Sequence, residues 1–505
     1  MTTPVSLEGI QFPLAADGQR STTSTNKAIY SAALEALHPQ AAQALRDERD
    51  WRKHYPTHLR MLTEVGIINP AHALQIATTG LAAAWQQFEF MRNERTQPFA
   101  DAMRLPQPDT LHTVEMRGRG SPTIAPWTLP YRGKNLAGNE LRAQIARWEA
   151  QQIIEPSHGR ALRTVMEHPE WFDLSDRTLV LLGAAAEAGP LATLARWRAN
   201  IVAIDLPDAA TWYKILSIIS QGNARLIAPV RQPVAPNTPP DQWATLAGAD
   251  LLTQTPEIAA WLAALASPLD IAALAYLDGE RHARVSLAMD GVMASLCATQ
   301  PATTLMYMAT PTDIFAVHES TARAAMARYA QRGMVERIGA AVGRLLSGGR
   351  FLRPHIAGLI TSSNGKRYGI ADSIVIEQGP NYALAKRIQQ WRALVARAAG
   401  HRVAVNVAPA TLTQSVIKNP ALKAGYKGAS LFNIEVFAPE TTSALMAALW
   451  VYDLRCTNCA ADPNTALDHP LELLIEGANH SGLWRARYLP RTALPLAALV
   501  GYARG

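Results

Sequence analysis

A tyrosine and a lysine four residues apart are the side chains of this sequence best suited to proton chemistry. Tyr382-Ala-Leu-Ala-Lys386 opens a predicted helix that runs to about residue 399, and Gly400 is its stop signal. The spacing places both side chains on one helix face, one turn apart. A phenol with a pKa of about 10 is a poor base at neutral pH, and a nearby ammonium stabilises the phenolate. The pair therefore predicts proton transfer at a substrate oxygen, and the alternative is a half-buried aromatic beside a solvated cation.

A run of small residues after a predicted strand is the second candidate site. The strand 178–182 leads into a turn of small residues, and Pro190 follows at the first turn of a helix. Free backbone N–H groups and a helix dipole at such a turn can bind a diphosphate. The residues expected to line this site are Gly183, Ala184, Glu187, Ala188 and Gly189.

Asp205 ends the next predicted strand, sixteen residues after Gly189. A carboxylate at this position can accept hydrogen bonds from an adenosine ribose and would repel a 2′-phosphate. NAD(H) is therefore favoured over NADP(H). The alternative is a tight strand-to-helix turn with a helix-capping aspartate.

The elements that must position these residues follow two different patterns. Residues 1–170 show mainly helical spacing of apolar residues, except for an irregular stretch between residues 96 and 138. From residue 178, short apolar runs alternate with helical segments, which is typical of a parallel sheet covered by helices. The sequence thus predicts an α/β protein with a helical N-terminal domain (1–170) and a sheet-containing domain (171–505). The strands are expected at 178–182, 201–206, 225–230, 269–277, 303–309, 355–362 and 402–407.

This combination resembles the short-chain dehydrogenase/reductase superfamily over about residues 178–453. The small-residue turn, the aspartate after the second strand, the Tyr382 and Lys386 pair, and the segment Arg402-Val-Ala-Val-Asn-Val-Ala-Pro409 carry the resemblance. It implies a Rossmann-type, doubly wound parallel sheet. It also implies an NAD(P)(H)-dependent oxidoreductase that interconverts an alcohol and a carbonyl, or that reduces a conjugated double bond.

The resemblance also implies roles for individual residues. Tyr382 would exchange the proton with the substrate oxygen, and Lys386 would hold the nicotinamide ribose and lower the tyrosine pKa. Ser363 or its neighbour Ser362 would hydrogen-bond the substrate. The segment beside the nicotinamide carboxamide would contain Pro409, Thr411 and Thr413.

The sequence departs from the family pattern at three points. Glu187 stands where the turn usually has its middle glycine, and Ser363 precedes Tyr382 by more residues than is usual. Thr310 and Thr312 end an earlier predicted strand and are rivals for the serine position. These departures leave two alternatives open: a nucleotide-binding sensor or scaffold without redox chemistry, and an epimerase or dehydratase on the same fold.

Composition excludes several other classes of protein. The 505 residues are 48% apolar and 18% charged, which excludes a disordered or fibrous chain. A net charge of +7 spread over this length does not indicate nucleic-acid binding.

Three cysteines, with no signal-like start and no apolar run long enough to span a bilayer, favour a cytoplasmic protein. Cys456-Thr-Asn-Cys459 lacks the partners of a zinc site, so no metal is expected. We expect a small-molecule substrate, bulky or apolar, and a homo-oligomer.

Overall fold

A computed structural model of the chain describes residues 8–15, 18–105, 110–235, 238–265 and 268–503. The start of the chain, where no signal segment is expected from the sequence, falls partly outside the described residues. The helices, in chain order, are α1 (Thr22–Glu35), α2 (Pro39–Asp47), α3 (Trp51–Ile68), α4 (Pro70–Gln87), α5 (Phe99–Ala102), α6 (Gly138–Ala150), α7 (Pro156–Glu167), α8 (Leu191–Leu194), α9 (Ala209–Gln221), α10 (Pro240–Trp243), α11 (Thr255–Ala263), α12 (Glu280–Thr299), α13 (Glu319–Ala330), α14 (Met334–Leu346), α15 (Pro380–Ala398), α16 (Gln414–Lys418), α17 (Pro420–Gly428), α18 (Pro439–Arg455) and α19 (Pro490–Ala503).

Short strands and single turns of 3-10 helix connect these helices. The 3-10 turns cover Pro169–Phe172, Ile376–Gln378, Ala429–Phe432, Pro470–Leu474 and Leu483–Arg485. The strands, in chain order, are β1 (Gly9–Gln11), β2 (Glu89–Arg92), β3 (Arg95–Pro98), β4 (His112–Arg117), β5 (Leu129–Tyr131), β6 (Lys134–Leu136), β7 (Thr178–Leu182), β8 (Asn200–Ile204), β9 (Arg225–Val230), β10 (Asp270–Ala273), β11 (Thr304–Ala309), β12 (Ile314–His318), β13 (Ile360–Thr361), β14 (Arg367–Asp372) and β15 (Val403–Val407).

A seven-stranded, mostly parallel sheet forms the centre of a mixed α/β protein. Its order is β15-β11-β10-β7-β8-β9-β4, and the pairing is parallel except between β9 and β4. Leu182 at the end of β7 lies opposite Ile204 on one side and Ala273 on the other. Helices cover both faces, so the central strands are buried and read as continuous apolar runs. The α/β class expected from the sequence is confirmed at this level.

The sequence places six of the sheet strands correctly and misplaces one. The stretch expected as a strand at 355–362 contains only the two-residue strand β13. This strand belongs to a separate antiparallel sheet of order β12-β14-β13, which is inserted in the chain between β11 and α15. An apolar run shows that a segment is buried but does not show which sheet it joins, and the expectation that it joined the parallel sheet was wrong.

The N-terminal region contributes to the sheet as well as to the helical layer. Strand β4 falls inside the stretch expected to be irregular, and it pairs antiparallel with β9 from Arg117 to His112. The helices α1 and α4 pack on α15. The sheet and its helical layer therefore both take elements from before residue 170.

No helix among the described residues combines the length and apolarity needed to cross a bilayer.

Candidate functional site

Helix α15 positions Tyr382 and Lys386 beside the end of a central strand. The helix starts after Gly379, whose φ of 82° only glycine adopts readily, and Pro380 fits its first turn. Lys386 Nζ donates hydrogen bonds to the carbonyl oxygen of Met308 at 3.3 Å and to Gln389 Oε1 at 3.2 Å. Met308 lies in β11, so the lysine ties α15 to the sheet. The same Nζ lies 5.8 Å from the centre of the Tyr382 ring.

Thr310 supplies the hydroxyl beside the Tyr382 phenol. It follows the last residue of β11, and its hydrogen bond partly offsets the effect of burial, which raises the pKa of Tyr382 far above its usual value. Thr310 Oγ1 also lies 2.8 Å from Thr312 Oγ1, to which Gln378 Nε2 donates at 2.7 Å. A row of hydroxyl groups therefore leads away from the phenol. Two segments were candidates for this hydroxyl, one with Ser362 and Ser363 and one with Thr310 and Thr312. Thr310 is the residue that lies beside Tyr382.

Ser362 and Ser363 occupy a different part of the molecule. The backbone N–H of Ser363 and the hydroxyl of Ser362 both donate to the carbonyl oxygen of Ile68, at 2.8 and 3.4 Å. Ile68 ends helix α3, and both serines follow β13 of the smaller antiparallel sheet. The expectation that these serines end a strand of the main sheet was wrong, because the insertion between β11 and α15 carries them to the N-terminal helices.

His282 is a site residue that the sequence reasoning missed. It lies in the first turn of α12 and is buried, and its ring stacks on Tyr382 with centroids 5.2 Å apart. Tyr276 packs on its ring as well, at 4.6 Å. The Leu277 N–H points to His282 Nδ1 at 3.5 Å, which places the ring proton on Nε2, and this atom has no partner among the described residues. The sequence signal that could have identified His282 is its position at the start of the helix that follows β10.

Burial sets the ionisation of these groups. It lowers the pKa of Lys386 to about 8, and the distant charge of Asp313 opposes this shift. Burial, and secondarily Lys386, hold the pKa of His282 well below its usual value, so the imidazole is neutral. Tyr382 is protonated at neutral pH for the same reason. The site therefore offers a phenol that can donate a proton, next to an ammonium and a neutral imidazole.

The small-residue turn lies at the end of β7. Gly183 has a φ of 95°, and a Cβ atom there would come within 2.5 Å of the Ala275 backbone. The N–H groups of Gly183 and Ala184 donate to the Ile204 carbonyl oxygen at 2.8 and 3.1 Å. The helix that follows, α8, has only four residues, so its dipole is small. The turn thus uses several of its N–H groups internally.

Asp205 fastens this turn to the next strand. Its carboxylate accepts hydrogen bonds from the Ala185 N–H at 2.8 Å and from the Leu206 N–H at 2.9 Å. Burial raises the pKa of Asp205, and these hydrogen bonds oppose the shift. The aspartate therefore stabilises the turn but does not cap a helix, since the N-cap of α9 is Asp208, and its role toward a ribose stays a prediction.

Glu187 bridges the two segments expected to hold a cofactor. Its Oε2 accepts a hydrogen bond from the Gln414 N–H at 2.9 Å. Gln414 begins α16 directly after the segment that contains Pro409, Thr411 and Thr413. The structure thus brings the turn and this segment face to face, with an exposed carboxylate spanning the gap between them.

Side chains hold the segment after β15 in place. Thr411 Oγ1 lies 2.7 Å from Thr442 Oγ1, and Thr413 Oγ1 lies 2.9 Å from Ser415 Oγ. Thr411 also donates to the Pro409 carbonyl oxygen at 2.8 Å. The hydroxyl groups of Thr411 and Thr413 are therefore engaged within the protein.

Among the cavities lined by described residues, a polar one and an apolar one adjoin these elements. The larger, of about 480 Å³, lies beside the turn and carries the cations Arg196 and Lys214 and the carboxylates Glu187 and Glu440. The smaller, of about 80 Å³, begins at Thr312 and is otherwise apolar. Its walls include Val375, Ala410, Tyr426, Ile434, Leu483 and Leu494.

The cysteine pair does not belong to this site. Cys456 and Cys459 are free thiols, and burial raises the pKa of Cys459 to about 12. Over the residues that the structure describes, no group of three or more His, Cys, Asp or Glu side chains is placed to hold a metal ion.

Comparisons with known proteins do not identify a relative. No family model matches the chain, and no curated protein matches it.

Proposed function

We propose that this protein is an NAD(P)(H)-dependent oxidoreductase of the short-chain dehydrogenase/reductase type, which interconverts a carbonyl or conjugated enone and an alcohol. The observation that carries the proposal is the contact set of Tyr382. The phenol lies beside the Thr310 hydroxyl at the end of β11, and Lys386 on the same helix reaches the main chain of that strand. Side chains of these types, at the carboxyl end of a central parallel strand, suit proton transfer to a substrate oxygen.

The order of the sheet supports a Rossmann-type fold. Numbered along the chain from β7, the six parallel strands lie in the order third, second, first, fourth, fifth, sixth. This is the order of dinucleotide-binding sheets, in which the ligand lies at the carboxyl ends of the strands where the order reverses. Gly183 follows β7, the first strand, and packs against Ala275 after β10, the fourth, at that reversal.

The side chains divide the chemical work as follows. A bound nicotinamide would supply or accept the hydride. Tyr382 donates its phenolic proton to the substrate oxygen in the reducing direction, and the Thr310 hydroxyl orients the phenol. The Lys386 ammonium stabilises the phenolate that remains. The neutral His282 ring, stacked on Tyr382, fixes the plane of the phenol.

The residues around the turn fit a dinucleotide with one exception. Asp205 lies at the end of β8, where a ribose would be recognised, and this supports NAD(H) over NADP(H). Lys214 and Arg196 line the cavity beside the turn. Glu187 is the exception, because its carboxylate occupies the gap between the turn and the segment after β15 and would repel a diphosphate.

The apolar cavity supports an apolar substrate. Thr312 is one of its lining residues and is hydrogen-bonded to Thr310, which lies beside the phenol. Burying an alkyl or ring substituent there is favourable in proportion to the apolar area removed from water.

The cytoplasmic location and self-association expected from the sequence stay predictions.

A Tyr382→Phe variant tests the proposed function. Purified protein is mixed with NADH or NADPH and a panel of aliphatic and aromatic ketones and enones, and consumption of the reduced nicotinamide is followed by absorbance. We expect turnover with at least one carbonyl, and a loss of about 10²- to 10⁴-fold in kcat in the variant with unchanged binding of NADH. Tyr213→Phe, at a half-exposed tyrosine, is the matched control. Full turnover in Tyr382→Phe would refute the assignment.

A nucleotide-binding sensor or scaffold without redox chemistry is the second candidate. The Glu187 bridge to Gln414 favours it, because Glu187 departs from the dehydrogenase pattern of the turn and links the turn to the opposite segment. The two candidates differ in one measurement: a sensor binds the nicotinamide nucleotide and returns it unchanged with every carbonyl tried.

A further inference from the structure

Helix α14 turns a continuous apolar face to the solvent. At 3.6 residues per turn, its six large apolar side chains fall within an arc of about 120°. Each of them is between 51% and 87% exposed. These side chains, which we call the α14 face, are Met334, Val335, Ile338, Val342, Leu345 and Leu346.

The opposite side of the helix, which is polar or small, faces the protein. Ala340 is 1% exposed and belongs to a small buried cluster with Leu352 and Tyr488. Glu336 accepts hydrogen bonds from Arg487 at 2.8 Å and from Tyr488 Oη at 2.7 Å. A surface helix of a globular protein normally has the reverse orientation, with its apolar stripe toward the core. Contiguous exposed apolar surface of this kind marks an interaction site.

The surroundings of the α14 face are positively charged. Residues 331–353 contain five arginines and one acidic residue, Glu336, and Arg487 already neutralises that carboxylate. Arg337, Arg350 and Arg353 are exposed. This composition, with arginines flanking an exposed apolar stripe, is that of a helix that lies on an anionic membrane surface.

We propose that the α14 face docks on the surface of an anionic lipid bilayer, with the helix parallel to the membrane plane. The apolar side chains enter the boundary between headgroups and acyl chains, and the flanking arginines contact the lipid phosphates. A second copy of the chain is a poorer occupant. A symmetric contact through this face would bring two sets of arginines together without carboxylates to pair them.

Vesicle sedimentation tests the docking. The full-length protein is incubated with vesicles of phosphatidylcholine alone, or of phosphatidylcholine with one third phosphatidylglycerol, and the bound fraction is measured as salt is raised. We expect binding to the anionic vesicles, weak binding to the neutral ones, and release at high salt. Equal binding to both vesicle types, or no binding to either, would overturn the proposal.

Paired variants assign the binding to this helix. Leu345→Ser with Leu346→Ser should weaken partitioning by about tenfold or more, because apolar area is lost from the interface. Arg337→Gln and Arg350→Gln should each weaken it by about fivefold. The controls, Leu14→Ser and Arg104→Gln, change exposed residues elsewhere and should leave binding unchanged.

Circular dichroism must show that each variant keeps its fold. Sedimentation velocity of the proteins without vesicles then distinguishes docking on lipid from association with a second copy of the chain. If the double serine variant converts a dimer to a monomer while vesicle binding is absent in both, the face is an interface between copies and the lipid proposal is wrong.

Discussion

Replacing Glu187 by glutamine should strengthen nucleotide binding. The wild-type carboxylate bridges to the Gln414 N–H at 2.9 Å, in the gap between the turn after β7 and the segment after β15. Glutamine keeps the length and shape of the side chain and can still accept that hydrogen bond. The change therefore removes the negative charge and little else.

The size of the effect follows from two contributions. A hydrogen bond to a charged group contributes roughly 1.5–3 kcal/mol and a neutral one about 1 kcal/mol, so the bridge made by glutamine is weaker by about 1 kcal/mol, a low value taken because Glu187 is exposed. Repulsion between unit charges about 4 Å apart is about 1 kcal/mol in water. Their sum of about 2 kcal/mol corresponds to a dissociation constant roughly 30-fold lower in the Glu187→Gln variant.

Titration calorimetry with NADH and NADPH measures this change directly. Glu440→Gln is the matched control, because Glu440 lines the same cavity and has no bond to Gln414. We expect a clear gain for Glu187→Gln and little change for Glu440→Gln. Equal affinities in the wild type and both variants, or no binding to any of them, would refute the placement of the diphosphate beside this turn.

Three further predictions concern the residues around Tyr382. Thr310→Val should lower kcat by about 10- to 100-fold, since it removes the hydroxyl beside the phenol, whereas Ser363→Ala should leave kcat unchanged; steady-state kinetics checks both. Burial lowers the pKa of Lys386 from 10.5 to about 8, so the unfolded chain binds the extra proton between these values. The free energy of unfolding should then rise with pH across that window, and urea titrations of Lys386→Met should lack the rise. Arg387→Met removes the buried partner of Asp313 and should destabilise the fold by about 3–5 kcal/mol, as measured by urea unfolding, whereas the exposed Arg46→Ala should change the free energy of unfolding far less.

Local patterns predicted most of the sheet and the main helix of the site. The strands β7 and β9 begin and end where the apolar runs do, and α15 begins near Tyr382 and ends before Gly400. Such features depend on side-chain period and on stop residues, which are properties of neighbouring positions in the chain. The spacing of Tyr382 and Lys386 belongs to the same kind of information.

Contacts between residues far apart in the chain could not be predicted from these local patterns. The sequence offered two candidates for the hydroxyl beside Tyr382. Thr310 lies there because residues 314–372 form a separate sheet, which carries Ser362 and Ser363 away to Ile68. His282 reaches the phenol because α12 packs on α15, a contact between residues a hundred positions apart. The bridge from Glu187 to Gln414 likewise joins two distant segments of the chain. One follows β7, the first parallel strand along the chain, and the other follows β15, the last.

The sequence by itself therefore determined the kinds of chemical group available and the local elements that carry them. It determined a phenol and an amine one helical turn apart, and a turn of small residues after a buried strand. The tertiary structure decided which groups meet, which are buried and therefore shifted in pKa, and which face of α14 is exposed. The physical reason is that secondary structure follows from interactions within a few residues, whereas burial and charge pairing depend on segments that only the folded chain brings together.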